Sequence, residues 1–239
     1  MRFQRILVGV SVIVFVASAA MTIAASVSMA AMGEMRMPGG WTMSHMWMGM
    51  PGQSWSGATA SFVAMWSVMM VAMMMPSLTP SLLSYRDSLG RRIGSARAGL
   101  LTAIVAFAYF AVWACLGAVV FSLGAALVDL AMQDPSAARA VPFVTGLAVT
   151  VAGLIQLVEW KAQYEASCRE TSSVSSPARV NLTTAWNHGL YLGVHCVRSC
   201  AGITLIALCL GVMDVAVMAV VVVTLTAERR WHVVGRALA

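Results

Sequence analysis

The chain has 239 residues, 60% of them apolar and only 10% charged, with 15 Lys and Arg against 9 Asp and Glu for a formal charge of +6. A water-soluble domain is nearer half apolar and a quarter charged. Composition therefore excludes an ordinary soluble enzyme, a nucleic-acid-binding domain and a disordered chain, and leaves an integral membrane protein with several helical spans.

A bilayer crossing takes about 20 apolar residues. The first such stretch covers about residues 6–31, behind Arg2 and Arg5. A basic start followed by small residues also fits a signal peptide, but the apolar run is longer than such segments use, so an uncleaved span is expected. An outer loop follows over 32–57. Further spans are expected at about 58–83, with Pro76 inside, then 98–127, 142–158, 188–210 and 212–227, with a cytoplasmic loop over 159–187. The fold class is all-α: a six-transmembrane-helix bundle forming one membrane domain over residues 1–239.

Orientation follows from the basic residues. Arg2, Arg5, Arg86, Arg91, Arg92, Arg97, Lys161, Arg169, Arg179, Arg229, Arg230 and Arg236 fall on one side, Arg36 and Arg139 on the other, and Arg198 inside a span. This bias over short loops places both termini in the cytoplasm, in a bacterial inner membrane. The bilayer is the expected surrounding, and no nucleic acid is expected as a partner.

The chain carries 19 Met and 5 Cys. An odd cysteine count rules out a fully paired disulfide framework and favours free thiols or thiolate ligands. The outer loop holds Met43, His45, Met46, Met48 and Met50 within eight residues, with Trp41, Trp47 and Trp55 beside them. Thioether is a soft, uncharged ligand that suits Cu(I). The alternative is an amphipathic segment lying at the membrane surface. In the second span Met65, Met69 and Met73 recur at i, i+4 and i+8, forming one stripe, and Met70 and Met74 form another beside it. They read as a thioether ladder or as gap-filling packing. Pro76 frees the carbonyl of Ala72, where a kink is expected.

Cys196 and Cys200 share a face of the fifth span at i and i+4, preceded by His195, with Arg198 between them in sequence. Two thiols one turn apart can hold a soft metal. Arg198 is costly in lipid and needs protein, water or an anion, for which a thiolate of the pair is one candidate. Gly189 and Gly193 allow close approach of a neighbouring helix. Cys115 and Cys209 read as small buried hydrophobes. Cys168 lies beyond the fourth span, and joining the other two thiols requires its loop to fold back towards the membrane.

Three segments resemble the DUF2182 family of predicted metal-binding integral membrane proteins. They are Trp66-x-x-Met69-x-x-Ala72-Met73-Met74-x-Pro76-x-x-x-Pro80; Gln156 and Lys161 with Cys168-Arg169; and Gly189-x3-Gly193-x2-Cys196-x3-Cys200 followed by Gly211-Val212-Met213 and Glu228-Arg229. The resemblance runs from about Ser61 to Arg230. It implies a membrane protein with a metal-related role. Tyr164 stands where that family has a cysteine, and Arg198, Ser199, Ala201 and Asp214 replace its Gly, Cys, Trp and Asn.

The function expected from the residues is binding or transfer of a soft metal, Cu(I) above others, through Met and Cys ligands. The outer Met loop captures the ion, Met65, Met69 and Met73 relay it, and Cys196 and Cys200, with His195 and Cys168 as further candidates, receive it. A periplasmic metal donor or a membrane-protein complex is the expected partner. The rival reading is a non-catalytic subunit of a larger membrane assembly of oxidase or photosynthetic type. Thiol–disulfide chemistry at Cys196 and Cys200 comes third, because redox dithiols usually sit at Cys-x-x-Cys spacing.

Overall fold

The computed structural model describes residues 2–31, 35–37, 40–43, 47, 52–90, 93–157, 181–211 and 217–223. Five long helices dominate: α1 (Arg2–Ala31), α2 (Trp55–Gly90), α3 (Ser95–Gln133), α4 (Pro135–Leu157) and α5 (Leu182–Leu210). All five are long and apolar enough to cross a membrane. The expected sixth span falls mostly outside the described residues, of which 217–223 are helical. A two-residue hairpin interrupts the all-helical pattern: β1 (Met35–Arg36) pairs antiparallel with β2 (Thr42–Met43), Met35 opposite Met43.

Helix starts depart from the hydropathy boundaries because capping residues, not apolar residues, set them. α5 begins at Leu182, well before residue 188, because the Asn181 side chain accepts a hydrogen bond from the Thr184 N–H at 2.9 Å. α4 begins at Pro135, not Pro142. Asp134 terminates α3 through its N–H to the Leu130 carbonyl, and its carboxylate accepts from the Ser136 N–H at 2.8 Å. That hydrogen bond holds the Asp134 carboxyl below its ordinary pKa. Proline at the first helical position loses no intrahelical bond.

One internal proline is accommodated by a borrowed donor. Pro142 cannot supply the N–H that the Ala138 carbonyl would receive in a regular helix. The Trp41 indole donates to that carbonyl instead, at 2.9 Å. α2 runs as one helix through Pro76 and Pro80, and the hydroxyls of Ser77 and Thr79 reinforce this turn by donating to the carbonyls of Met74 and Met75, both at 2.8 Å.

α2 packs between α1 and α3, α3 lies between α2 and α5, and α4 lies against α5 and α3. The α3–α5 seam is glycine-made. A Cβ on Gly189 would collide with the Val105 carbonyl, and one on Gly193 would lie 2.9 Å from the Val112 side chain. The two backbones therefore approach as the Gly-x3-Gly spacing anticipates. Gly117 of α3 makes room for Trp66 of α2, whose indole N–H donates to the Trp113 carbonyl at 3.0 Å.

The helices wear their apolar side chains outward. On α1, Ile6, Val12, Ile13, Val16 and Val27 are exposed, while Ser11, Ser18, Thr22 and Ser26 form the buried stripe. Three of those hydroxyls return hydrogen bonds to carbonyls of their own helix. The described part of the 32–57 loop folds onto the bundle: Met37 packs with Val128, Ala131 and Ala138, joined by Trp41 and Trp47.

Candidate metal centre

α2 supplies the sulfur. Its buried face includes Met69, Met70, Met73, Met74 and Met75, because this helix is flanked by both α1 and α3. Met65 is partly buried against the same core. The two sequence stripes are thus both inside, and tertiary packing selects between them: Met74 meets Cys196.

α5 supplies the thiols. Its buried residues Leu192, Cys196, Cys200, Ile203 and Ala207 recur every three or four positions, so both cysteines lie on the inward stripe. Cys196 is 4% exposed and Cys200 2%. Cys196 Sγ stands 3.9 Å from Cys200 Sγ and 3.9 Å from Met74 Sδ. Three sulfurs thus gather from residues 122 positions apart in sequence. α3 adds Tyr109, whose hydroxyl donates to Cys196 Sγ at 2.9 Å. Gly193 lets that part of α3 close on α5, since its Cβ would lie 3.1 Å from the Tyr109 carbonyl.

Other expected donors fall elsewhere. His195 is one residue, or about 100° of helical turn, from Cys196, and its ring lies against Tyr191 with centroids 4.1 Å apart. Among the described residues no group of three His, Cys, Asp or Glu side chains could hold a metal ion. The sulfur cluster escapes that description because its third member is a thioether. Arg198, for which a thiolate of the pair was one candidate partner, is exposed; two residues along a helix is about 200° of turn, which carries it away from both sulfurs. Cys115, expected to be buried, is exposed on α3, and Cys209 is half-buried. His45, Met46, Met48, Met50, Cys168 and the Met43 side chain lie outside the described residues.

Two members of this arrangement were not singled out in the sequence. Met74 stood in the second methionine stripe, with nothing to rank it above Met73. Tyr109 carried one weak sign: a phenol within an apolar helix needs a hydrogen-bond partner when buried.

The described cluster can hold a soft cation. Three sulfurs around one ion at about 2.3 Å each, in a plane, stand about 4 Å apart, and the two measured edges are 3.9 Å. Thiolate and thioether donors suit soft ions, Cu(I) among them. A family model described as PpoB2, copper chaperone, matches residues 63–239. The chain belongs to this copper chaperone family. The matched region contains all of the sulfur triangle and largely coincides with the segment that carries the DUF2182 resemblance. No curated protein and no solved structure matches the chain.

Proposed function

We propose that this copper chaperone family member is an integral membrane protein that binds Cu(I) as cargo between Met74, Cys196 and Cys200 and passes it to a partner. The observation that carries the reading is the triangle, with two sulfur–sulfur edges of 3.9 Å, buried where three helices meet. Those two separations are the ones expected between sulfurs that share one ion. The membrane setting is supported by helices that expose branched apolar side chains and bury hydroxyls, as on α1. In water that arrangement would be inverted; in lipid a buried hydroxyl still needs a partner, and Ser18, Thr22 and Ser26 find one in their own helix.

In this reading the Met-rich outer loop, with Met43, His45, Met46, Met48 and Met50, captures copper from a periplasmic donor. Met65, Met69, Met70 and Met73 line the approach, and the triangle holds the ion. The basic-residue bias sets both termini in the cytoplasm of a bacterial inner membrane.

Copper titration of the full-length protein in mild detergent, against a competing Cu(I) chelator, tests the site. The wild type should retain one tightly held ion per chain. Met74→Leu, Cys196→Ala and Cys200→Ala should each weaken retention at least tenfold, while exposed Cys115→Ala leaves it unchanged. Equal retention by all four variants would remove the triangle as the site.

A further inference from the structure

Sulfur is unevenly distributed along the bundle. α2 runs antiparallel to α5, since Met74 meets Cys196 and Tyr85 stacks on His188 further along. α3 runs parallel to α5, since Gly189 meets Val105 and Gly193 meets Val112. The start of α2, the later half of α3 and the end of α5 therefore share one end of the bundle, where the rings of Trp55 and Phe121 lie 6.1 Å apart. From Met74 to this end, α2 carries Met65, Met69, Met70 and Met73, and α5 carries Cys200 and Cys209. Towards the opposite end, the segments 76–90 of α2, 95–110 of α3 and 182–195 of α5 contain no Met and no Cys. That half is closed by buried Leu78, Leu82, Leu89, Leu101 and Val105. Its two imidazoles, His188 and His195, are seven residues apart, about 10 Å along the helix, which is too far to share an ion.

The Met-rich segment is anchored at the sulfur end. Trp47, bonded in sequence between Met46 and Met48, packs over Gly124 of α3, where any Cβ would collide with its ring. The same ring lies 5.5 Å from that of Phe62, which stacks on Trp66 at 5.9 Å. Trp41 makes a second anchor through the Ala138 carbonyl.

A cation leaves water only where donors replace its hydration; an unpaired charge in an apolar interior is very costly. Among the described residues of α2, α3 and α5, soft donors continue from the triangle towards the Trp47 end and stop in the other direction. We propose that Cu(I) enters and leaves the Met74/Cys196/Cys200 triangle only through the end on which Trp47 docks the Met-rich loop, so that the chain is a one-sided copper carrier and not a conduit across the bilayer. The inference rests on the copper and membrane readings above and adds the direction of exchange. Trp47 is the positioning residue that keeps the loop at the entrance.

The test uses the full chain with a short epitope inserted after Gly52, reconstituted in sealed phosphatidylcholine vesicles. An antibody added outside reports which vesicles present the loop outward. The protein is loaded with Cu(I), and the impermeant chelator bathocuproine disulfonate is then added outside. Copper should be stripped from loop-outward protein and retained by loop-inward protein. Stripping at equal rates from both, or copper accumulating free in the vesicle lumen, overturns one-sided exchange. Vesicles that retain no copper in either orientation overturn the triangle itself as a copper site, and one-sided exchange with it. Trp47→Ala should slow loading from the loop side several-fold while the final affinity stays the same. An unchanged rate removes the anchoring role of Trp47, and a changed affinity places Trp47 in the site instead of at its entrance.

Discussion

At the scale of single residues, the site depends on which atoms surround one sulfur. Cys196 Sγ has three polar or soft neighbours, from α2, α3 and its own helix. The Tyr109 hydroxyl is the one that cannot itself act as a soft ligand. Its hydrogen bond fixes the side-chain direction of Cys196, and in the proposed site it would offset negative charge on a copper-bound thiolate. Partners of this kind typically contribute 10–100-fold in metal affinity. Tyr109→Phe keeps the ring in its packed position, where the tyrosine is 3% exposed, and removes only the hydroxyl. Cu(I) affinity should fall about tenfold with unfolding behaviour unchanged, and X-ray absorption should show altered copper–sulfur distances. A matching loss of stability would make the hydroxyl a packing group.

At the scale of elements, small residues decide how helices meet. The Gly189/Gly193 seam brings α3 to α5, and Gly117 admits Trp66 from α2. Overpacking such a contact costs about 1–3 kcal/mol. Gly193→Ala should therefore destabilise the protein by about that amount in detergent unfolding, and should weaken copper retention because the shift carries Tyr109 away from Cys196. Gly146→Ala on α4 meets open space and should be neutral in both measurements. Trp41 shows the same dependence between elements: an indole in the Met-rich segment completes the backbone that Pro142 leaves short on α4. Loop and bundle are thus joined through a hydrogen bond that the helix itself cannot supply.

At the scale of the molecule, the asymmetries of charge and sulfur coincide. The ends joined by the segment 91–94 and bearing Arg86, Arg91, Arg92 and Arg97 are basic, and the opposite end carries the methionines. In the proposed orientation the first faces the cytoplasm. A reporter fused after Arg92 should be active in the cytoplasm, and one inserted near Gly52 should be active in the periplasm. The reverse pattern would turn the copper entrance inward and assign the captured ion to a cytoplasmic donor.

The sequence by itself determined the helical class, the cysteine pair and a strip of α5 open to a close neighbour, because each is local, whereas the tertiary structure decided that the neighbour is α3. Apolar run length makes a span, four-residue spacing puts Cys196 and Cys200 on one face, and Gly-x3-Gly removes side chains from one strip of helix. Capping atoms moved the starts of α4 and α5 beyond what hydropathy marks, since Asp134 and Asn181 act through hydrogen bonds that no apolar average registers. Only the tertiary structure decided that Met74 reaches Cys196 and that Tyr109 joins them. A helix with methionines on adjoining stripes and partners on two sides has no preferred sulfur until its rotation about its own axis is set. That rotation is set by contacts such as Trp66 against Gly117, 51 positions away in the chain, which periodicity within a single helix does not encode.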